Sequence, residues 1–273
     1  MNDDLGDRMK FYERFETDRK FLPMLPIYAR MDGRSFSRFS RIIGLKKPFD
    51  ENMSSAMIET TKWLVEQTNA IIGYTQSDEI SLIMYAEDFK SDIFFAGRVF
   101  KITSMLAAMA SVRFNQLASQ IWSEDKIAKL FPTFDARVFQ MPNKIEAVNA
   151  LVWRENDAAK NSISMAAQSM FSHNSLQGKS GKEMQEMMMT EKGINWNNYP
   201  VSFKRGTYVR RRLIERHLTE EEMARIPVSK RPESNLVKRG SIVTLDMPRL
   251  SKVSNKVETI FDDAEPLMID HID

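Results

Sequence analysis

Two segments with carboxylates carry the chemistry of this chain. Arg30–Phe39 reads RMDGRSFSRF and places Asp32 at the end of an apolar, strand-like run. Gly73–Leu82 reads GYTQSDEISL and places Asp78 and Glu79 at the tip between two such runs. Neighbouring strands lie about 4.8 Å apart, so carboxylates at the same end of two strands can share metal ions about 3.5–4 Å apart. A pair of Mg²⁺ ions held this way neutralises a triphosphate and aligns an attacking oxygen with a phosphorus. That is nucleotidyl-transfer chemistry, with Asp32, Asp78 and Glu79 as the catalytic candidates. The plainer alternative is an Asp-Gly turn at Asp32 and a hairpin cap at Asp78.

The flanking residues suit a triphosphate. Gly33 lets the backbone approach a ligand closely. The amides of Gly33, Arg34, Ser35, Phe36 and Ser37, near a helix start, can cradle phosphate oxygens. Lys47 and Lys101 are candidate phosphate clamps, and Arg98 shares a helix face with Lys101. Arg137, in FDARVF, alternates with apolar residues and either pairs with a buried acid or binds phosphate. Ser202–His217 gathers Lys204, Arg205, Arg210, Arg211, Arg212 and Arg216, the electrostatic footprint expected for RNA, with Phe203 and Tyr208 available to stack on bases. The methionines at 184, 187, 188 and 189 suit a core or a subunit interface.

The elements that must position these residues follow from periodicity and breakers. Residues 2–20 read as an amphipathic helix with Met9, Phe11, Tyr12 and Phe15 on its apolar side. Leu25–Met31 is a strand broken by Asp32-Gly33, and Ser35–Ile43 a short helix. Asp50 caps a helix running to about Ala70. Ile71–Tyr74 and Ile80–Tyr85 form a hairpin with acids at its tip. Phe89 to about Gln120 is a long helical pattern, and Phe134–Met141 a strand. Helices are expected at about Ile145–Ala158, Asn161–His173 and Glu183–Lys192. A strand is expected at Gly206–Leu213, a helix at Leu218–Ala224 capped by Thr219, and a polar linker at Ser229–Arg239. The order strand–helix–hairpin–helix–strand is a split βαβ arrangement. The expected class is α+β: a polymerase- or cyclase-like palm, a ferredoxin-like antiparallel sheet with helices, plus a C-terminal α/β extension. Residues 1–142 would form the palm and residues 143–273 a C-terminal domain packed on it, ending in an acidic tail at 262–273.

Composition narrows the chemistry. Lys and Arg total 39 against 37 Asp and Glu in 273 residues, so any polyanion site must come from local charge, not bulk charge. The absence of cysteine excludes disulfides, thiolate zinc sites and cysteine nucleophiles. With only three histidines, His173, His217 and His271, neither a His-rich metal site nor a Ser-His-Asp triad is expected. The charged N-terminus does not read as a signal peptide, and no run of about 18 apolar residues suggests a membrane span. A cytoplasmic setting is the expectation.

Taken together, RMDGRSFSRF with Lys47-Pro48, YTQSDEISL, FDARVFQMP, Val152-Trp153-Arg154 with Asp157, LQGK, GINWNNYP and KRGT occur in the order of a known family over roughly residues 5–210. The chain resembles the tRNA-His guanylyltransferase family, enzymes that add nucleotides in the 3′-to-5′ direction. The segment from Leu245 to Pro266 is similar to the C-terminal end of bacterial and phage members. The resemblance implies two Mg²⁺ ions held by Asp32, the carbonyl of Gly33, and Asp78. It implies ATP and GTP or other NTPs bound by Gly33–Ser37 and Ser77, with Glu79, Lys47 and Lys101 nearby. It further implies a homotetramer built as a dimer of dimers, and the candidates for contacting a tRNA acceptor end are Arg137, Arg154, Asn161, Lys204, Arg205, Arg210 and Arg211. Lys182 carries over only weakly, because the chain after Leu176 is shorter than usual. Where guanylyltransferases proper carry His-Ile-Asn-Asn, this chain has Ala159-Lys160-Asn161-Ser162. That departure favours a template-dependent tRNA 5′-end repair branch over addition of a non-templated G to tRNA-His. A nucleotide cyclase on the same palm and a non-catalytic tRNA-binding protein are the remaining alternatives.

Overall fold

A computed structural model describes residues 4–232 and 234–269. In chain order the helices are α1 (Leu5–Thr17), α2 (Phe36–Ile43), α3 (Glu51–Thr68), α4 (Val99–Ile121), α5 (Glu124–Leu130), α6 (Lys144–Gln168), α7 (His173–Leu176), α8 (Gly181–Lys192), α9 (Val201–Arg205), α10 (Glu220–Arg225) and α11 (Lys256–Phe261). The strands are β1 (Ile27–Arg34), β2 (Ile72–Gln76), β3 (Glu79–Met84), β4 (Thr133–Gln140), β5 (Thr207–His217) and β6 (Leu236–Leu245). They form one sheet in the order β4-β1-β3-β2-β5-β6, antiparallel at every pairing. The first four strands and their crossover helices make the split βαβ palm expected from the sequence. The α+β class holds.

Alternation along the strands divides the core. On one face Ala29, Met31, Ile80 and Leu82 pack with Leu64 of α3 and Leu106 and Phe114 of α4. On the other, Tyr28, Tyr74, Ile83 and Tyr208 pack with Val148 and Leu151 of α6, and with Leu250 and Ile260 near the C-terminus. Local capping sets the helix starts: the Asp50 side chain accepts from Met53 N–H at 2.9 Å and Asn143 from Glu146 N–H at 2.8 Å. Ser180 and Thr219 each close a capping box, the latter as expected from the sequence.

Several expectations need correction. Asp32-Gly33 does not end β1. Asp32 pairs with Glu79 on one side and Asp135 on the other, and the strand runs on to Arg34. The helical pattern from Phe89 begins only at Val99, after a 3₁₀ turn at Phe94–Gly97. The two helices expected between Ile145 and His173 are one, α6, because no Gly or Pro interrupts residues 144–168. The polar linker at Ser229–Arg239 overlaps β6, whose ladder with β5 pairs Arg216 with Val237 and Tyr208 with Leu245. Its lysine and arginine content hid a strand that is solvated along much of its length. In α1, no residue is buried, and Phe11, Tyr12 and Phe15 stand exposed. Of the acidic tail, residues 270–273 lie outside the described residues, while Asp263 binds Arg210 and Arg212.

Candidate active site

The site lies at one end of β1 and at the β2–β3 turn. The register places Asp32 opposite Glu79, one residue past Asp78. Gly33 N–H donates to the Asp78 carbonyl at 3.0 Å, tying the two acidic segments together. Ser77 takes a positive φ of 50° in the tight turn, and its hydroxyl donates to Asp78 Oδ1 at 3.0 Å. Burial pushes the Asp78 carboxyl up from its ordinary range. The Ser77 hydroxyl pulls it back, and the negative charge of Asp32 raises it further. Among the described residues no cation pairs with Asp32 or Asp78. An uncompensated, partly buried acidic pair is what a divalent cation relieves. Mg²⁺ characteristically takes one or two carboxylates and completes its shell with substrate phosphates and water. No three acidic or imidazole side chains converge into a self-sufficient cage among the described residues. The donor set therefore fits Mg²⁺ delivered with a triphosphate.

Glu79 is separate from this pair. Its carboxylate is buried and receives Arg154 Nε and Nη2, both at 2.7 Å. Burial raises the Glu79 carboxyl and the Arg154 guanidinium opposes that rise. Arg154 also meets Asp157 at 3.2 Å, and Arg30 lies 4.0 Å from Glu79. Glu79 thus anchors α6 beneath the acidic end of the sheet.

The turn after Asp32 corrects the expected role of Gly33. Its amide is already spent on Asp78, and a Cβ there would meet the Phe36 ring at 2.4–2.8 Å. The glycine makes room for Phe36, whose ring lies 5.1–5.2 Å from those of Phe39, Phe114 and Phe134. Phe36 has only its backbone left for a ligand. The amides of Ser35, Phe36 and Ser37 take no acceptor among the described residues, as the first turn of a helix dictates. Arg34 and Ser37 are exposed beside them.

A cavity of about 830 Å³ opens from this turn. It is lined by Ser37, Arg41, Lys46, Lys47, Asp50, Gln76, Ser77 and Asp78 on the palm side, and by Ala158, Ser162, Met165, Phe203 and Thr207 on the other. Phe49 and Phe203 pack at 5.6 Å in its wall. Lys47 is therefore on the cavity as expected. Lys101 is not among the lining residues: its ammonium sits 4.9 Å over the Phe95 ring. Sequence reasoning missed Arg41, Lys46 and the α6 wall. The signal for Lys46 was its place beside Lys47, but nothing local announced that α6 would return to the β2–β3 turn.

Of the residues expected on RNA, the structure turns two inward. Arg154 is held by Glu79. Arg210 is buried, donating to the Thr259 carbonyl at 3.0 Å and to Asp263 at 2.9 Å. Arg205 reaches Glu155 at 3.0 Å, Lys204 the Asn197 carbonyl at 2.5 Å, and Asn161 donates to Asp157 at 3.3 Å. Tyr208 packs 4.8 Å from Tyr74 and is unavailable for stacking. Arg137 and Arg211 remain exposed.

The family model described as tRNAHis guanylyltransferase matches residues 6–142. The tRNA(His) guanylyltransferase of Saccharomyces cerevisiae is 30% identical over 220 residues, 76% of this chain and 91% of that protein. An uncharacterized protein of Acanthamoeba polyphaga mimivirus is 34% identical over 79% of this chain and 80% of its own length. Among solved structures, a bacterial tRNA(His) guanylyltransferase-like protein in complex with ATP aligns with a TM-score of 0.78 at 33% identity, covering 94% of this chain and 99% of that one. A bacterial relative in complex with GTP aligns with a TM-score of 0.68 at 30% identity, covering 92% and 95%.

Proposed function

We propose, for a chain that belongs to the tRNA(His) guanylyltransferase family, template-dependent addition of nucleotides to the 5′ end of tRNA. Nucleotidyl transfer to tRNA is the activity of the family. The observation that carries the proposal is one continuous site: a nucleotide-sized cavity that opens onto the Asp78 turn tied to Asp32. Relatives bound to ATP and to GTP support both as substrates. Residues 1–142 would supply the catalytic palm, and residues 143–273 the far wall of the cavity and the RNA-facing part.

In the first stage a 5′-monophosphate RNA end attacks the α-phosphorus of ATP, forming a 5′-5′ adenylylated end and releasing pyrophosphate. In the second, the 3′-hydroxyl of an incoming NTP attacks the 5′-phosphate so activated, releasing AMP. Mg²⁺ held by Asp32, Asp78 and the Gly33 carbonyl would neutralise the triphosphate and acidify the attacking hydroxyl. The amides of Ser35–Ser37 receive phosphate oxygens, and Lys46, Lys47 and Arg41 offset their charge. Glu79, clamped by Arg154, keeps the acidic end of β3 in register.

The choice of repair over addition of G to tRNA-His rests on Ala159–Ser162. In this run Ser162 serves the protein itself: its hydroxyl accepts from Trp196 Nε1 at 3.2 Å. With no histidine beside Asn161, the opposite RNA strand is left to select the nucleotide. A homotetramer is part of the proposal, supported by the exposed aromatic side of α1. The test uses labelled tRNA-His and a second tRNA lacking its first nucleotide, with ATP, Mg²⁺ and all four NTPs. Complementary repair of the truncated tRNA, abolished by Asp32→Ala and Asp78→Ala, is expected. Efficient G addition opposite A would overturn template dependence. Retained activity in either variant would overturn the metal assignment.

A further inference from the structure

We propose that the exposed indole of Trp153 is the platform on which the first base of the RNA 5′ end stacks, with Arg30 and Arg137 beneath the phosphate that follows it. This rests on the nucleotidyl-transfer proposal above. On the sheet face that carries Tyr28, β1 and β4 place three residue pairs in register: Asp32 with Asp135, Arg30 with Arg137, and Tyr28 with Phe139. Successive rows of an antiparallel ladder are two residues, about 6.8 Å, apart. The face therefore reads acidic, basic, aromatic, leading away from the reacting end.

Elsewhere this face is covered by α6 and the C-terminal segment, but at β4 it is open. The Arg137 side chain is 58% exposed and Phe139 is 39% exposed. Trp153, on α6, borders this opening and is 53% exposed, although tryptophan is usually mostly buried. Its orientation is fixed. The Arg154 guanidinium lies 4.7 Å and that of Arg30 5.5 Å from the ring centroid, and Arg154 is itself locked by two bonds to Glu79. A held, solvent-facing indole beside arginines, one row from a metal-suited carboxylate, suits a stacked base joined to a phosphate chain.

The other candidate occupant, an NTP base, has its own place. None of Trp153, Arg30 and Arg137 lines the large cavity. Trp153 precedes the cavity residue Ala158 by five residues, about 7.5 Å along the axis of α6. The cavity is lined by Ser77 and Asp78, while the indole lies over Arg30, two residues before Asp32 on β1, so the acidic end has a separate place for each of two substrates.

The test uses a 5′-monophosphate tRNA with 2-aminopurine as its first base, bound to wild type, Trp153→Phe, Trp153→Ala and Arg137→Gln. Stacking should quench the fluorophore in wild type and in the Phe variant, but not in the Ala variant. The Ala variant should also raise KM for RNA about tenfold, within the range of one lost base stack, while its Kd for ATP without RNA is unchanged. Arg137→Gln should keep the quench and lower the slope of log affinity against log salt by about one. Quenching that survives in Trp153→Ala overturns the platform, as does a loss of ATP affinity with KM for RNA unchanged. Should the Ala variant not fold, loss of the quench in the Phe variant together with an unaltered salt slope in Arg137→Gln also overturns it. Wild type that extends RNA without quenching refutes the platform alone. Wild type that quenches the probe but extends no RNA refutes the nucleotidyl-transfer proposal alone.

Discussion

Replacing Arg154 by Met should be the most damaging single change to this fold outside its apolar core. The Arg154 and Glu79 side chains are 8% and 7% exposed, and the guanidinium meets the carboxylate through two bonds of 2.7 Å. Met keeps the stem and removes the charge, so the loss is electrostatic and not a cavity. Truncating one partner of a buried pair costs about 3–5 kcal/mol, because the other charge stays buried without compensation. For a chain of this size that is roughly 10 °C in Tm. The cost depends on pH. Burial already raises the Glu79 carboxyl against the opposition of Arg154. Without that opposition the native state binds a proton that the unfolded chain releases above about 4.3. Wherever the native state holds more protons, stability falls as pH rises. The deficit of Arg154→Met should therefore be smallest near pH 5 and grow toward pH 8.

Thermal and urea unfolding of wild type, Arg154→Met, Glu79→Gln and the double variant, all in EDTA, test this. The double variant should recover about 2 kcal/mol relative to the sum of the singles, since it leaves no buried charge alone. A deficit of Arg154→Met below about 1 kcal/mol, or one that does not change with pH, would refute the reasoning. It would mean that Glu79 finds water or another donor once Arg154 is gone.

Two further outcomes follow from the site. Gly33→Ala should destabilise by about 1–3 kcal/mol, the usual cost of overpacking. The new methyl meets a Phe36 ring wedged among three other phenylalanines, and KM for ATP should rise because Phe36 opens the first turn of α2. A melting curve equal to wild type would show that the ring moves freely. Asp78→Asn should abolish transfer yet raise the Tm of the metal-free protein at neutral pH, by about 1 kcal/mol in stability. The Asp78 carboxyl is raised by burial and by Asp32, so its ionised form is a net cost that acidification removes. The advantage of Asn should accordingly shrink as pH falls through that raised value, and a variant no more stable than wild type at pH 7 would contradict it.

The palm was legible because its signals are local. Asp50 is a side-chain cap, the Ser77-Asp78 turn interrupts two apolar runs that are buried almost throughout, and β4 alternates in the usual way. What escaped depends on distant pairing. β6 carries Lys238 and Arg239 and reads as a linker until β5 is laid beside it. The cationic stretch before it reads as an RNA footprint until Asp263 is seen to bind Arg210 and Arg212, and Glu222 to bind Arg216. A run of arginines in sequence says nothing about which acids the chain will bring back to them. At the site the carboxylates were legible by type and spacing, whereas the division of labour between Asp78 and Glu79 was not. Adjacent residues on a strand point to opposite faces or out of the turn, and only α6 supplies the arginine that claims Glu79.

That division explains why an acidic end can be built on a sheet at all. Asp32, Asp78 and Glu79 lie within a few residues of register, and three like charges there would oppose folding. Glu79 is neutralised internally by Arg154, and Asp135, opposite Asp32, lies 3.8 Å from Arg137, which leaves Asp32 and Asp78 without a cation among the described residues. Those two keep no ion-pair partner among the described residues, and the Gly33–Asp78 backbone bond and the phenylalanine cluster under α2 hold their segments in place. The same arginine that removes one charge holds Trp153 in place. One residue of α6 thus links the stability of the acidic end to the surface proposed to receive the RNA. Arg154→Met should in consequence weaken 2-aminopurine quenching as well as the fold, while Glu79→Gln, which leaves Arg154 a neutral acceptor, should preserve the quenching. Equal quenching in Arg154→Met and wild type, measured well below the Tm of both, would separate the two roles and break the link.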